Sequence, residues 1–308
     1  MNQRYDRRTF CQAIGAAAAL AAIAPARGEA GGSAMLSRAI PSTGERLPVI
    51  GLGTSGVFDV GADPAERAPL REVLDILLAS GGSLLDTAPM YRRAEQVAGD
   101  LIAAGQLRSR MFVATKVLAR GREAGLEQIE TSMRLLRSPK LDLVQVHNLV
   151  DTATQLATLR ELKQQGRVRY IGVTHYTAAS HDELERVLKK EQLDFVQFNY
   201  SIGAREAEAR LLPLAAERKV AVLVNRPFED GALFDRVRGK ELPPWAAEID
   251  CASWAQFFLK FIVGHPSVSC AIPATAKPRH MRDNAAAGHG RMPDAAMRER
   301  MAKYVAAL

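Results

Sequence analysis

Four polar residues of the kinds that transfer protons occur at regular intervals in this sequence. Lys116 follows Asp86 by 30 residues and His147 follows Lys116 by 31, while Tyr91 lies five residues after Asp86. A tyrosine hydroxyl has a pKa of about 10 and is a poor proton donor at neutral pH. A neighbouring ammonium group lowers such a pKa, and a carboxylate keeps that ammonium charged and in place. The set therefore suits proton donation by a tyrosine.

This combination of side chains is fitted to turning a carbonyl into an alcohol. Tyr91 would protonate the oxygen, and His147 would donate a hydrogen bond to the same atom. Because no side chain can supply hydride, the reaction needs a nicotinamide cofactor. Each residue by itself also has a structural explanation, such as helix capping by Asp86. The four together favour catalysis.

The elements that would position these residues alternate along the chain. From about residue 48, β-rich segments alternate with amphipathic helical stretches, and the predicted strands are residues 49–53, 83–86, 111–116, 143–147, 168–174, 195–199, 220–225 and 267–272. Eight such units predict an α/β fold of the (β/α)8 TIM-barrel type, as a single domain. An open doubly wound sheet is the alternative, although no Gly-x-Gly-x-x-Gly follows the first strand in the required context.

In a barrel, spacing by one unit places Asp86, Lys116 and His147 at the carboxyl ends of adjacent strands, where barrel active sites lie. The stretch 226–245 has the composition of a long irregular loop after the seventh strand, and loops of that length are usually functional. Substrate selection is expected from this loop, from the loop after the fourth strand, and from Val57 and Phe58.

Composition narrows the function further. The chain has 308 residues, a net charge of +7, 47% hydrophobic and 24% charged residues, which is typical of a soluble globular protein. The basic residues are scattered, so nucleic acid is not an expected partner. Cys11, Cys251 and Cys270 cannot by themselves form a metal site or a disulfide framework. Cys251 and Cys270 could pair or remain free thiols.

The first 30 residues have the pattern of an export signal. Arg7 and Arg8 precede an apolar run at residues 13–24, and small residues around Pro25 suit cleavage. The arginine pair resembles a twin-arginine (Tat) signal, and the run is too short to span a bilayer. We expect a cleavable Tat-type signal peptide and leader at 1–30 and the barrel domain at 36–308. An N-terminal amphipathic or buried helix is the alternative.

This signal carries predictions about partners and location. The twin-arginine translocase would be a partner during export, and the mature protein would be periplasmic, or cytoplasmic if the signal is not used. No stable membrane association is expected.

The predicted barrel resembles the aldo-keto reductase family over almost its whole length. Family motifs are matched in order by Asp86 to Tyr91, Thr115-Lys116, Leu143 to Asn148, Ile171 to His175, Val196 to Asn199 and residues 272–284. The resemblance implies a (β/α)8 barrel that reduces an aldehyde or ketone with a nicotinamide cofactor. It assigns the family's catalytic tetrad to Asp86, Tyr91, Lys116 and His147, with Tyr91 as the general acid.

The resemblance also implies a dinucleotide site, with the nicotinamide carboxamide against Thr174, His175 and Gln197 and the pyrophosphate near Arg226. The predicted cofactor residues are Gly53, Thr54, Thr174, His175, Gln197, Asn225, Arg226, Phe228, Thr275, Lys277, Arg282, Asp283 and Asn284. NADP(H) is the preferred cofactor and NAD(H) the alternative, because basic residues remain available for a 2′-phosphate.

Four positions depart from the family pattern. His175 replaces an asparagine, and Asn225 stands where a tyrosine usually stacks on the nicotinamide. Ala274 and His280 replace a lysine and an arginine of the usual 2′-phosphate pocket. The change at Asn225 predicts a slightly different placement of the nicotinamide ring, and the changes at Ala274 and His280 leave Thr275, Lys277, Arg279 and Arg282 as the possible partners of a 2′-phosphate.

Two other functions use the same fold. A non-turnover NADP-binding sensor or accessory subunit would share every cofactor residue, but it would not need all four catalytic ones. A metal-dependent barrel hydrolase would need paired histidine or carboxylate ligands at the strand ends, which the sequence does not provide. No metal site is therefore predicted.

Overall fold

A short antiparallel hairpin opens the computed structural model, which describes residues 34–308. Its strands are β1 (Ser37–Ala39) and β2 (Arg46–Pro48), and its residues Ile40 and Leu47 pack into the apolar interior of the barrel. The hairpin thus closes the amino-terminal end of the barrel. The hairpin is not predicted from the sequence, since strands of three residues are too short to show alternation. The export signal expected at 1–30 lies outside the described residues.

Eight parallel strands follow the hairpin and form a single sheet in chain order. They are β3 (Leu52–Gly53), β4 (Leu84–Asp86), β5 (Phe112–Val117), β6 (Leu141–His147), β7 (Val168–Thr174), β8 (Phe195–Asn199), β9 (Ala221–Asn225) and β10 (Cys270–Ala271). Each coincides with a predicted strand, and the first and last are shorter than predicted. The (β/α)8 expectation is therefore confirmed.

The barrel closes where its first and last strands meet. Parallel bridges join Ile50 to Ala271 and Gly53 to Ala274, which excludes the open doubly wound alternative. A Cβ added at Gly53 would lie 2.8 Å from the carbonyl oxygen of Ile272, so the close approach of the two strands requires glycine.

Ten α-helices connect and cover the strands of the described chain. They are α1 (Pro64–Ala79), α2 (Ala94–Ala104), α3 (Arg122–Leu135), α4 (Thr152–Gln164), α5 (His181–Lys190), α6 (Leu211–Glu217), α7 (Ala232–Arg236), α8 (Trp254–Val263), α9 (Pro278–Ala286) and α10 (Ala295–Ala306). In α1 the Asp63 side chain caps the amino terminus, accepting from the amide of Ala65 at 2.9 Å. The stretch 226–245 is partly ordered as α7, which corrects the expectation of a wholly irregular loop.

The barrel interior is divided into an apolar and a polar half. Because side chains alternate along a strand, every second residue points inward. The inward residues near the amino-terminal end are apolar, as with Leu143, Tyr170 and Phe195. The next inward positions toward the carboxyl ends are polar: Asp86, Lys116, Gln145, His147, Thr174, Gln197 and Asn225. The alternation along the strands therefore places a layer of polar inward-facing residues next to a layer of apolar ones.

Three further features concern membrane-spanning helices, metal sites and cysteines. Within residues 34–308, no helix is both long and apolar enough to cross a membrane, and no cluster of three His, Cys, Asp or Glu residues is arranged to hold a metal. Cys251 and Cys270 are free thiols, and burial raises the pKa of both, that of Cys251 to about 12.

Candidate active site

A cavity of about 640 Å³ opens at the carboxyl ends of the strands, on the face where barrel active sites are built. Eleven of the residues predicted from sequence line it: Gly53, Thr54, Asp86, Tyr91, His147, Thr174, His175, Gln197, Asn225, Arg226 and Phe228. Residues far apart in the chain therefore meet at this one site.

A buried ion pair lies behind the cavity wall. The ammonium of Lys116 donates to Asp86 Oδ2 at 2.6 Å and to the carbonyl oxygen of Thr87 at 2.8 Å. Burial opposes the charge of Lys116, but the Asp86 carboxylate and the Tyr91 oxygen outweigh it, so the pKa of Lys116 lies above its usual value. Lys116 is consequently a cation at neutral pH.

Tyr91 lies beside this ion pair and, like Asp86, lines the cavity. It ends a single 3₁₀ turn, Pro89–Tyr91, that begins three residues after the end of β4. Its ring lies 5.1 Å from Lys116 Nζ, and it meets the ring of His147 edge-on with 6.4 Å between the centroids. Tyr91 is only half-buried, so its side chain can reach a molecule in the cavity while it contacts the charged lysine.

His147 ends β6 and is 8% exposed. Burial, and then the positive charges of Lys116 and His175, lower the pKa of His147 from 6.5 to about 3. The imidazole is therefore neutral at neutral pH. A neutral imidazole carries one N–H donor, which suits it to hydrogen-bond a carbonyl oxygen.

This lowered pKa predicts a pH-dependent stability. The unfolded chain takes up a proton at this histidine below pH 6.5, whereas the native state does so only near pH 3, so native stability falls as the pH decreases between these values. We expect His147→Gln to reduce the loss of unfolding free energy between pH 7 and 4.5 by about 3 kcal/mol. Urea unfolding of both proteins at both pH values measures this. Equal losses would contradict the burial of a neutral imidazole.

A hydrogen-bonded amide connects the ion pair to the predicted nicotinamide residues. Gln197 Nε2 donates to Asp86 Oδ1 at 2.9 Å, and Gln197 Oε1 accepts from Thr174 Oγ1 at 3.1 Å. Asn225 Nδ2 adds a longer bond to the same oxygen at 3.3 Å. The sequence predicts these residues in one site, but it does not indicate the bond between Gln197 and Asp86, which are 111 residues apart.

Asn225 and His175 differ in how much hydrogen-bonding capacity they leave for a ligand. Asn225 Nδ2 also donates to the carbonyl oxygen of His175 at 3.0 Å, while Asn225 Oδ1 is buried without a partner among the described residues. The His175 ring stacks on Tyr176 and bonds within its own loop, to the Tyr176 amide at 3.0 Å and Ser180 Oγ at 3.0 Å. Asn225 is thus the better-placed acceptor.

Arg226 is held at the cavity edge by hydrogen bonds to two nearby residues. Its guanidinium donates to the carbonyl oxygen of Tyr176 at 3.2 Å and to the carboxylate of Asp230 at 2.7 Å. Its backbone has a φ of 48°, in the left-handed region, which turns the chain sharply after β9. These contacts hold the guanidinium at the edge of the cavity.

The remaining predicted cofactor residues do not line this cavity. Thr275, Lys277, Arg282, Asp283 and Asn284 lie in or just before α9. Arg282 pairs with Glu72 at 2.6 Å, and the Asp283 carboxylate accepts from Ser253 and Gln256 of the preceding segment. Lys277 is exposed at the start of α9.

The cavity rim contains three apolar residues. Met90, Tyr176 and Phe234 are the exposed large hydrophobic residues of the described chain, and all three line the cavity. Phe234 lies in the stretch 226–245 that was expected to select the substrate, whereas the sequence does not mark Met90 and Tyr176 as rim residues, because exposure at a rim depends on how the loops pack. The expectation for Val57 and Phe58 was wrong: neither lines the cavity, and Phe58 is fully buried in the core.

Comparison with known proteins gives the class to which this barrel belongs. The chain is a member of the aldo/keto reductase family, whose sequence profile matches residues 49–304. It is therefore an NAD(P)H-dependent oxidoreductase that acts on carbonyl groups. This agrees with the cavity, where a tyrosine, a lysine, an aspartate and a histidine meet.

Individual relatives share less than a third of their residues with this chain. The chain is 30% identical to the methylglyoxal reductase YeaE of Escherichia coli over 247 residues, 78% of this chain and 85% of that one. It is 28% identical to an NADH-specific methylglyoxal reductase of Escherichia coli over 230 residues, 64% of this chain and 68% of that one. The crystal structure of an aldo-keto reductase from Klebsiella pneumoniae in complex with NADPH is similar in fold, with a TM-score of 0.72 and 24% identity over 88% of this chain and 96% of that one.

Proposed function

We propose that this protein reduces an aldehyde or ketone to an alcohol with NADPH, with Tyr91 as the general acid. The observation that carries the proposal is the contact of Tyr91 with the buried Lys116–Asp86 pair on one side and the cavity on the other. A cation beside a phenol stabilises the phenolate that forms when the proton leaves. The nearby carboxylate keeps that cation charged.

Each of these residues has its own role in the proposed reduction. A reduced nicotinamide, when bound, supplies hydride to the carbonyl carbon. Tyr91 gives its proton to the carbonyl oxygen, while neutral His147 donates a hydrogen bond to that oxygen and orients it. Lys116 stabilises the resulting phenolate, and Asp86 holds Lys116 in place through the 2.6 Å bond. Gln197 holds the other oxygen of Asp86.

The residues present fit a nicotinamide carboxamide. Asn225 Oδ1 is a buried acceptor without a partner among the described residues, and its orientation follows from the two bonds that Nδ2 donates. A carboxamide NH2 supplies the donor that this oxygen lacks. Asn225 would therefore replace the usual stacking contact with a hydrogen bond.

NADP(H) is our preferred cofactor, with NAD(H) as the alternative. Lys277 is exposed at the start of α9, where its charge would meet a 2′-phosphate, whereas Arg282 is engaged with Glu72. Relatives of the chain include a protein named as NADH-specific, so both cofactors need testing. Fluorescence titration of the protein with NADPH and with NADH is the first experiment, and tighter binding of NADH would overturn the preference.

Substitution of Lys277 tests whether this residue distinguishes NADPH from NADH. We expect Lys277→Ala to weaken NADPH binding about ten- to a hundredfold and to leave NADH binding unchanged, since one charge-assisted hydrogen bond contributes about 1.5–3 kcal/mol. Arg279→Ala, which removes a neighbouring exposed cation, is the matched control and should change neither. A similar loss for both cofactors would show that Lys277 does not bind the 2′-phosphate.

The substrate we propose is a small carbonyl compound with an apolar substituent. Met90, Tyr176 and Phe234 offer an apolar rim, and two relatives are named as methylglyoxal reductases. Methylglyoxal and benzaldehyde are therefore the first substrates to test. Repeated turnover of either distinguishes an enzyme from the non-turnover sensor, which would bind NADPH without consuming it.

We propose further that the full chain is exported through the twin-arginine pathway to the periplasm. The support is the sequence of residues 1–30, with Arg7 and Arg8 before an apolar run. Replacing both with lysine should keep the protein in the cytoplasmic fraction, whereas Arg4→Lys should not. Fractionation followed by immunoblotting measures this, and an unchanged distribution of the double variant would refute the proposal.

A further inference from the structure

A fully buried glutamine in the barrel interior has no hydrogen-bond partner. Neither Gln145 Nε2 nor Gln145 Oε1 is paired with any group among the described residues, although the side chain is 0% exposed. In register, Gln145 lies between Lys116 of β5 and Gly172 of β7. Gly172 is packed against β8, since a Cβ there would lie 2.5 Å from the carbonyl oxygen of Phe195, so it offers Gln145 no side-chain partner. Buried amides without partners are rare, because their lost hydrogen bonds with water are not replaced.

A second unpartnered atom lies on the same face of β6. His147 follows Gln145 by two residues, and alternation along a strand points both side chains into the barrel. His147 Nδ1 is buried without a partner among the described residues, whereas the rest of the ring lines the cavity. Nε2 is consequently the nitrogen that meets a ligand, and Nδ1 is the nitrogen directed into the protein.

The role of His147 in the proposed reaction requires one particular tautomer. To donate to a carbonyl oxygen, the neutral ring must carry its proton on Nε2, so Nδ1 must accept a hydrogen bond. Lys116 is not available as the donor, since its three ammonium protons are directed to Asp86, to the carbonyl oxygen of Thr87 and to Tyr91. The Gln145 amide provides two donors that nothing else uses.

We propose that Gln145 is a positioning residue whose amide NH2 donates to one buried water, which in turn donates to Nδ1 of His147 and thereby holds His147 as the Nε2–H tautomer. Gln145 Nε2 and His147 Nδ1 make no direct hydrogen bond, so a connection between them needs an intervening water, which can both accept and donate. A polar site with several unpaired groups is where buried water is found. The choice of tautomer rests on the role of His147 in the proposed function, but the tautomer is measured without turnover.

The tautomer is measured directly by nitrogen NMR of the protein labelled with ¹⁵N-histidine, with His147→Gln identifying the signals. In the wild-type protein we expect the Nε2–H form, with Nδ1 as an acceptor. In Gln145→Met, which has a similar volume and no donor, we expect a mixture of tautomers. The kcat for carbonyl reduction should fall about ten- to a hundredfold, as when a partner that orients a functional histidine is removed, with NADPH affinity unchanged.

A second variant, Gln145→Glu, should favour the other tautomer of His147, and it tests the proposal if Gln145→Met does not fold. Gln145→Glu keeps the size but makes the ionised group an acceptor only, so we expect the His147 proton to move toward Nδ1. Gln155→Met is the matched control. Gln155 is also fully buried, but it lies on α4 and donates to the carbonyl oxygens of Ala119 and Gly121. This control should lower the melting temperature and leave the His147 tautomer unchanged.

The results distinguish the two proposals. A wild-type Nδ1–H form, or a tautomer that is unchanged in both Gln145 variants, would overturn the role of Gln145. If the tautomer changes as expected but no carbonyl is turned over by the wild-type protein, the proposed function fails and the positioning role stands.

Discussion

The variant Tyr91→Phe should lose carbonyl reduction while it keeps its cofactor. We expect kcat to fall by about a hundred- to ten-thousandfold, the range associated with loss of a general acid. The Kd for NADPH should hardly change, because Tyr91 gives its proton to the substrate and its ring remains in place beside Lys116 and His147. Steady-state turnover of methylglyoxal and fluorescence titration with NADPH measure the two quantities separately.

Tyr176→Phe is the control for this experiment. Tyr176 also lines the cavity, but its ring stacks on His175 away from the ion pair, so loss of its hydroxyl should leave kcat within about twofold. Normal turnover by Tyr91→Phe would show that another group donates the proton. Loss of both turnover and cofactor binding would point to a collapsed cavity instead.

Disruption of the buried ion pair should affect folding as well as catalysis. We expect Lys116→Met to lower the free energy of unfolding by about 3–5 kcal/mol, since it leaves the Asp86 carboxylate buried without its cation. The bond from Gln197 Nε2 remains, but one neutral donor does not compensate for a lost charge. Urea unfolding at pH 7 measures the change, and turnover should be abolished.

The double variant Lys116→Met, Asp86→Leu separates the charge imbalance from the loss of packing. With both charges removed, the destabilisation should be smaller than the sum of the two single effects, because no uncompensated ion is left. Additive losses would contradict this account and would indicate that the two side chains stabilise the barrel independently.

Much of the fold was accessible from the sequence because barrel strands and helices have different periods. Buried parallel strands such as 168–174 and 195–199 are short apolar runs, and the structure has them at those bounds. The predicted bounds were least accurate for the two strands at the barrel closure, since only isolated bridges join Ile50 to Ala271 and Gly53 to Ala274. The hairpin and α7 were missed, because elements of three to five residues show no period.

The sequence by itself determined that three of the four candidate catalytic residues lie at one end of the barrel. Asp86, Lys116 and His147 recur once per βα unit and point inward, so barrel geometry requires them to share one end. Only the tertiary structure decided how they interact. The bond from Gln197 to Asp86, the low pKa of His147 and the unpartnered amide of Gln145 all depend on neighbours from other strands. Hydrogen bonds and desolvation act over a few ångströms in space, and the chain order of residues from different strands does not specify such distances.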